Sequence, residues 1–328
     1  MMNRIITAAV ILTLIFSTTA FARTYNIGLD PWIAWAPAGV ADVKGFWKAE
    51  GIDVNLIDSD KVADLFDKKK IDIKFDMIGN AIGAIQEGKA LKIIMETDWS
   101  NGGDKIIAKK GVNPGDIKGK PIGIYENKLS VTFFLDQYLK TINIGLGDVK
   151  IVQMETKPLA DKFISGLFKV ILNYDPDALR AEKDGDGVLI ATTATYKGCM
   201  PEGMMAYDDI LAAIPDEDLA KIYMGWIKAQ AWSSDPANWK EYMDIANNRI
   251  FKDDEPYSEE DMKDMLSGVI IHDVDGLIER NKDAGGLEEY LKEMKMFLQK
   301  NNMLKKDFTK ESVLKNDVLI KVLTSIKK

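Results

Sequence analysis

Aromatic rings crowd one short segment near the start of the chain. The loop 30–37 holds Trp32 and Trp35 between two prolines, which stiffen it. Rigid rings give a large contact area at low entropic cost, and their faces stack on planar ligands or hold a cation. We therefore predict that Trp32 and Trp35 bind a ligand; the alternative for each is packing into the core.

The ends of predicted strands carry acids and a tyrosine. Asp98 ends one strand, and Tyr174 and Asp175 end another in a later part of the pattern. Ligands of open α/β sheets lie at the carboxyl ends of strands, where a carboxylate pairs with an amine or a ring N–H. We predict that all three contact the ligand, with Tyr174 and Asp175 opposite Trp32. Asp98 could instead cap the turn that follows it, and Asp175 could cap a helix.

Two predicted helices begin directly after strands. Gly79 and Asn80 form one strand-to-helix turn, and Tyr125, Asn127 and Ser130 belong to the other. The first N–H groups of a helix have no partner within it and attract anionic groups. All five residues are therefore predicted ligand contacts, although Asn80 could serve only as the helix cap.

Acids outnumber bases in this predicted site. The site contains three acids, Asp30, Asp98 and Asp175, but only one cation, Lys128. The charge favours a ligand with a positive or hydrogen-donating part, such as an amino-sulfonate, an amino-carboxylate or a planar amino-heterocycle.

Residues for catalysis or metal binding are sparse. His272 and Cys199 are the only histidine and cysteine, no G-x-S-x-G elbow is present, and metal sites need clusters of such side chains. Residues 184–187 (DGDG) lack the spacing of a calcium loop. We predict a protein that is not an enzyme and uses no cofactor and no metal.

Short apolar runs alternate with helical periodicity from residue 24 to about residue 200, which indicates βαβ units and mainly parallel sheets. Beyond residue 208 the pattern is almost wholly helical. We predict an α/β protein of two lobes, in which residues 23–106 and 205–328 form lobe 1 and residues 107–204 form lobe 2. Crossings near 105–108 and 203–207 would act as hinges around a ligand cleft.

The N-terminus predicts export. Residues 1–22 combine Arg4, a short apolar core and Ala20-Phe21-Ala22, the pattern of a signal peptide cleaved after Ala22. We expect a periplasmic monomer without stable membrane insertion. The net charge of −8 argues against nucleic-acid binding.

Four motifs in order carry a resemblance across the mature chain. They are residues 30–54, with DPWIAWAP and KGFWKAEGIDV at their ends, 98–108 (DWSNGGDKIIA), 116–124 (DIKGKPIGI) and 297–304 (FLQKNNML). The chain resembles the periplasmic binding proteins of the taurine/aliphatic-sulfonate/nitrate and thiamine-pyrimidine-precursor superfamily. It departs from them at residues 173–176 (NYDP), where relatives carry a sequence closer to Trp-Glu-Pro.

The resemblance implies a type II periplasmic-binding-protein fold. It also implies that a small polar organic solute (an amino-sulfonate, a pyrimidine or other amino-heterocycle, or a related amine) is delivered to the permease of an ABC importer through a transient contact. Two alternatives remain open. One is an exported ligand sensor, and the other is an enzyme like the pyrimidine-precursor synthases, whose cysteine-rich segment this chain lacks.

Overall fold

The structure, a computed structural model, describes residues 23–59, 61–125 and 129–327. The predicted signal peptide and Asn127 lie outside the described residues, as does Lys128. The eleven strands β1–β11 of this part are Thr24–Leu29, Asp53–Asp58, Ile73–Met77, Leu91–Ser100, Asp104–Lys109, Pro121–Tyr125, Lys150–Met154, Val170–Tyr174, Gly187–Thr192, Pro201–Tyr207 and Val269–Ile271.

Fifteen α-helices accompany these strands in the described ranges. In chain order α1–α15 are Ala36–Val43, Phe46–Ala49, Val62–Asp67, Ile78–Gln86, Leu129–Thr141, Thr156–Ile164, Asp177–Asp184, Asp208–Ala212, Asp216–Ser233, Trp239–Ile245, Glu259–Ser267, Val274–Asn281, Gly286–Lys300, Lys310–Val313 and Asp317–Ile326. A short 3-10 turn, Ile33–Trp35, precedes α1, and another, Thr193–Thr195, follows β9.

The strands form two separate sheets. The first sheet has the order β11-β4-β10-β3-β1-β2, and the second has the order β7-β6-β8-β5-β9. The α/β class is thereby confirmed, but the sheets are mixed rather than mainly parallel. The reason is that β10 returns antiparallel between β3 and β4, and β5 pairs antiparallel with β8 and β9.

The chain crosses between the sheets twice, at residues 101–103 and 193–200. The crossings were predicted at 105–108 and 203–207, but those residues are paired inside β5 and β10. Both crossings are tied together, because Thr193 Oγ1 lies 2.8 Å from Ser100 Oγ and accepts a hydrogen bond of 2.8 Å from the Gly102 N–H. The lobe boundaries themselves stay a prediction.

The apolar core extends from one sheet to the other on one side of the molecule. Helix α5 follows a strand of the second sheet, yet its Phe133 packs against Tyr290 and Phe297 of α13, with ring centroids 5.7 and 5.3 Å apart. Both α5 and α13 belong to one buried cluster that also includes Ile82 of α4. Any opening between the sheets must therefore pivot around this shared contact or break it.

Two sequence predictions for the helices need correction. The apolar spacing of residues 38–49 predicts one helix, but the structure has two, because Gly45 adopts φ 69° between α1 and α2, a backbone angle that glycine tolerates best. The C-terminal region also contributes a strand: β11 pairs with the end of β4, since Ile271 lies opposite Asp98. No helix among the described residues is long and apolar enough to cross a membrane.

Candidate functional site

A cavity of about 390 Å³ lies between the two sheets. The first sheet and its loops contribute Asp30, Pro31, Trp32, Trp35, Asp76, Met77 and Glu202, and the second sheet contributes Asp104, Tyr125, Glu155, Thr156 and Tyr174. Parallel strands such as β1, β6 and β8 end here, which is where open α/β sheets place their ligands. The volume suits a small organic molecule.

Aromatic rings bridge the two sides of the cavity. The Trp32 ring meets the edge of Tyr174 at a centroid distance of 6.1 Å, and Tyr174 in turn meets Tyr125 at 4.9 Å. The 3-10 turn after Trp32 and the ends of β6 and β8 hold these rings. Three of the predicted contact residues are thus brought together as one aromatic wall.

Trp35 lies deeper than Trp32. Its side chain is 5% exposed and packs on Phe75, which itself packs on Trp226, with centroid distances of 5.9 and 5.1 Å. Trp35 also lines the cavity. Core packing is therefore confirmed for Trp35, and its contact with a ligand stays a prediction.

Five carboxyl side chains line the cavity, and no lysine or arginine is among its described lining residues. Asp76 is paired with Lys74 at 2.6 Å. The Tyr125 hydroxyl donates a hydrogen bond to Asp104 Oδ1. Burial raises the pKa of Asp104, and the nearby Asp175 raises it further, while hydrogen bonds from Ser100 and Tyr125 oppose the rise.

The tyrosines of the cavity stay neutral near pH 7. Burial is the main reason that the pKa of Tyr174 rises to about 12, and Asp104 adds to it. Burial and the adjacent Asp104 also raise the pKa of Tyr125. Both hydroxyls therefore remain hydrogen-bond donors to a carboxylate or to a bound molecule.

Asp98 does not line the cavity. It is fully buried behind the wall, where Thr97 Oγ1 donates a hydrogen bond of 2.6 Å to its Oδ1. Its partner across the strand pair, Glu202, reaches the cavity instead. The predicted direct contact of Asp98 with a ligand thus finds no support in its position.

Asp175 and Asn80 lie beside the cavity and have protein partners. Lys105 Nζ lies 2.6 Å from Asp175 Oδ2, and Asn80 Nδ2 donates a hydrogen bond of 2.7 Å to Asp76 Oδ1. Neither residue caps a helix: Met77 and Pro176 hold the positions before α4 and α7. Their contacts with a ligand stay predictions.

Gly79 and Ser130 meet each other outside the cavity lining. A Cβ atom on Gly79 would lie 2.3 Å from Ser130 Oγ and 2.7 Å from the Tyr290 hydroxyl. The start of α4 thereby packs directly on the start of α5. The sequence paired these residues with an anionic ligand, whereas the structure uses them to bring two helices into contact.

This contact predicts a sharp difference between two glycines of α4. Gly79→Ala should lower the free energy of unfolding by about 1–3 kcal/mol, because short, buried Ser130 cannot move aside easily. At Gly83 a Cβ would have its nearest neighbour, Leu129 Cβ, at an ordinary 3.5 Å. Gly83→Ala should thus leave the free energy of unfolding unchanged or raise it by up to about 1 kcal/mol, because alanine favours the helix more than glycine does. Urea unfolding of both variants measures this; equal losses would contradict the close packing.

Four acids that line the cavity, Asp76, Asp104, Glu155 and Glu202, were not predicted from the sequence. Asp76 and Glu202 stand inside largely buried strands, and an acid in a buried strand is a signal that could have identified them. Asp104 lies within the segment 98–108 that carried the resemblance. Glu155 gives no comparable signal.

Residues expected to be inert are buried away from the cavity. His272 Nε2 lies 3.1 Å from Glu96 Oε1, and Glu96 also accepts hydrogen bonds of 2.7 and 3.1 Å from Arg280. Burial raises the pKa of the Cys199 thiol, which keeps it protonated and unreactive. Among the described residues, no group of three His, Cys, Asp or Glu is arranged to hold a metal ion.

Comparison with known proteins identifies relatives of this fold. The family model described as NMT1/THI5 like matches residues 32–217. No curated protein matches the sequence. Solved structures match over nearly the whole chain at low identity, and their likeness therefore concerns the fold.

Three of these solved structures illustrate the range of bound molecules in their descriptions. The ligand binding component of an ABC-type import system from Staphylococcus aureus, with zinc bound, has a TM-score of 0.68 and 13% identity, covering 91% of this chain and 98% of its own. The periplasmic aliphatic sulphonate binding protein of Escherichia coli has a TM-score of 0.67 and 11% identity, and the match covers 88% of this chain and 91% of that protein. The periplasmic nitrate-binding protein of Synechocystis has a TM-score of 0.65 and 14% identity, and the match covers 94% of this chain and 90% of that protein.

Proposed function

Because this chain belongs to the NMT1/THI5-like family, we propose that it is a periplasmic, non-catalytic solute-binding protein that encloses a small amine-bearing molecule between its two sheets. Its solute is an amino-sulfonate, a pyrimidine or other amino-heterocycle, or a related amine. The loaded protein, exported by its N-terminal signal, delivers that solute to the permease of an ABC importer through a transient contact.

The observation that supports this proposal is the composition of the cavity wall. Five carboxyl groups and four aromatic side chains line the space, and no lysine or arginine is among its described lining residues. A carboxylate attracts ammonium and amidinium groups, and ring faces hold a cation or stack on a flat heterocycle. A ligand that is only an anion would meet like charges on several sides.

This cavity thus favours a different chemistry from that of nitrate. The protein from Synechocystis is described as nitrate-binding and that from Escherichia coli as sulphonate-binding. Here an amino group provides the part of the molecule that the acids recognise. A sulfonate or carboxylate at the other end is tolerated only if it points away from them.

Matched pairs of solutes test the proposal. We expect taurine to stabilise the protein more than ethanesulfonate does, or 4-aminopyrimidine more than pyrimidine, since only the first of each pair donates N–H groups to the acids. A solute at one hundred times its dissociation constant adds about 2.7 kcal/mol of stability, which a thermal-shift assay detects. Native mass spectrometry of gently purified protein would identify a co-purified solute directly.

The control solutes are the deaminated molecules themselves. Equal stabilisation by ethanesulfonate and taurine, or by inorganic nitrate alone, would contradict recognition of the amine.

A further inference from the structure

The strand pairing places two acids side by side beneath the cavity wall. In the antiparallel pair of β4 and β10, Asp98 lies directly opposite Glu202. Side chains opposite each other in such a pair project from the same face, with Cβ atoms about 4.5–5.5 Å apart. Asp98 is 0% exposed and Glu202 is 2% exposed. Two ionised carboxylates at this distance and depth would repel each other strongly.

Asp98 Oδ2 and Glu202 Oε2 are both buried, and neither has a hydrogen-bond partner among the described residues. Ionised carboxylates only accept hydrogen bonds, so two that lie opposite each other without a donor need a proton on one of them. Thr97 Oγ1 donates to the other oxygen of Asp98. One proton shared by two acids explains the arrangement.

Charged neighbours on the adjoining strands reinforce this need for a proton. On the second sheet, Asp104 faces Glu202 and raises its pKa. On β3, Asp76 lies opposite Gly203, next to Glu202, and is paired with Lys74. On β4, Glu96 raises the pKa of Asp98.

Two basic side chains near this pair have another acidic partner. Arg280 of α12 and His272, which follows β11, both contact Glu96. His272 opposes the rise in the pKa of Asp98, and the Trp32 indole N–H opposes the rise in the pKa of Glu202. Burial outweighs both effects, so that the pKa of each acid is raised, most strongly that of Glu202.

Glu202 also lines the cavity, whereas Asp98 does not. A cation that enters the cavity therefore reaches Glu202 and can replace the proton as the source of positive charge. The exchange balances: the protonated pair and an organic cation give an ionised pair with the cation bound, and one proton passes to solvent.

We propose that Asp98 and Glu202 share one proton while the cavity lacks a solute and release it when an organic cation binds, which makes Glu202 the residue that adapts the cavity's charge to its ligand. The release rests on the proposed function, because it assumes an amine-bearing solute. The shared proton does not, because it follows from the pairing of β4 and β10.

The first experiment needs no solute. A carboxyl group whose pKa is higher in the folded than in the unfolded state binds its proton more tightly when folded. The stability that this group contributes is then fully present below the pKa of the unfolded chain, which is near 4.5 for a glutamate, and is lost as the pH rises through the folded value. The unfolding equilibrium constant of the wild type should rise by up to about tenfold per pH unit relative to Glu202→Gln.

Urea unfolding between pH 5 and pH 8 measures this difference. Asp98→Asn is the second variant. Removing the Asp98 carboxylate should reduce the change of stability with pH, although Glu202 keeps its own carboxyl group. Glu155→Gln is the matched control: Glu155 lines the same cavity but is exposed, so its slope should equal that of the wild type. Wild-type slopes in both Glu202→Gln and Asp98→Asn would overturn the shared proton.

The second experiment uses benzamidinium, a flat cation, and benzamide, its neutral isostere. Calorimetry in two buffers of different protonation enthalpy should find close to one proton released per benzamidinium bound to the wild type, and none for benzamide. Affinity for benzamidinium should rise with pH by up to about tenfold per unit. Glu202→Gln should bind it more weakly with no proton release, whereas Glu155→Gln should retain the release.

The outcomes separate the two proposals. The proposed proton release would be overturned if benzamidinium bound to the wild type without releasing a proton, or if Glu202→Gln still released a full proton. Failure of every amine to bind, with the solute-free slopes as expected, would overturn the proposed function and the release together while the shared proton stands.

Discussion

Trp32→Ala should weaken binding of the amine-bearing solute by about 10- to 100-fold, equivalent to about 1.4–2.7 kcal/mol, while the fold stays intact. Loss of a ring removes apolar contact and an aromatic face at a cavity wall. Trp32 is only partly buried and meets Tyr174 across the cavity at 6.1 Å. Its removal therefore costs ligand contact more than core packing. Calorimetric titration with the solute found in the thermal-shift screen measures the change.

Trp239→Ala is the matched control for this prediction. Trp239 lies in α10, is also partly buried, and stacks on Tyr242 at 5.8 Å outside the cavity lining. Its loss should leave solute affinity within about twofold of the wild type. If Trp32→Ala retains wild-type affinity, the solute does not occupy the space between the sheets, and the site must lie elsewhere.

Arg280→Ala should lower the free energy of unfolding by about 3–5 kcal/mol, because it leaves a buried carboxylate without its main partner. Glu96 is 0% exposed and receives two hydrogen bonds from Arg280, at 2.7 and 3.1 Å. This ion pair attaches α12 to β4. Chemical denaturation at pH 7 measures the loss.

Two further variants test the cause of that loss. Lys263 pairs with Glu259 at an exposed position, so Lys263→Ala should change stability by less than about 1 kcal/mol. Adding Glu96→Gln to Arg280→Ala should restore part of the stability, because the buried charge disappears with its partner. A double variant no more stable than Arg280→Ala would indicate that lost packing of the arginine, rather than the uncompensated charge, dominates.

Local periodicity in the sequence was sufficient to predict most secondary structure. Apolar spacing predicts a strand over 121–125 and a helix over 129–141, which match β6 and α5, and the run Ser258-Glu259-Glu260-Asp261 predicts a helix cap. Ser258 does cap α11, because its side chain accepts a hydrogen bond from the Asp261 N–H. These features depend on neighbours a few residues apart, which is the range over which apolar spacing and capping act. The α/β class followed from the same alternation.

The cavity wall was predicted only in part, because residues distant in the chain build it. The sequence identified Trp32 and Trp35 from the aromatic loop 30–37, and Tyr125 and Tyr174 from predicted strand ends. It assigned ligand contact to Asp98 and did not consider Glu202. Period-2 alternation is the same for every register, so local spacing does not reveal that Asp98 of β4 pairs with Glu202 of β10, or that Glu202 is the acid that reaches the cavity.

The sequence by itself determined the elements, their class and the aromatic segments that line the cavity, because each depends on short-range spacing and side-chain chemistry. The tertiary structure alone decided that Asp98 lies opposite Glu202, that Gly79 touches Ser130, and that Arg280 neutralises Glu96. Those contacts join residues 51 to 184 positions apart. They depend on which distant strands and helices pack together, and burial then leaves polar groups such as Glu96 to find partners within the protein rather than in water.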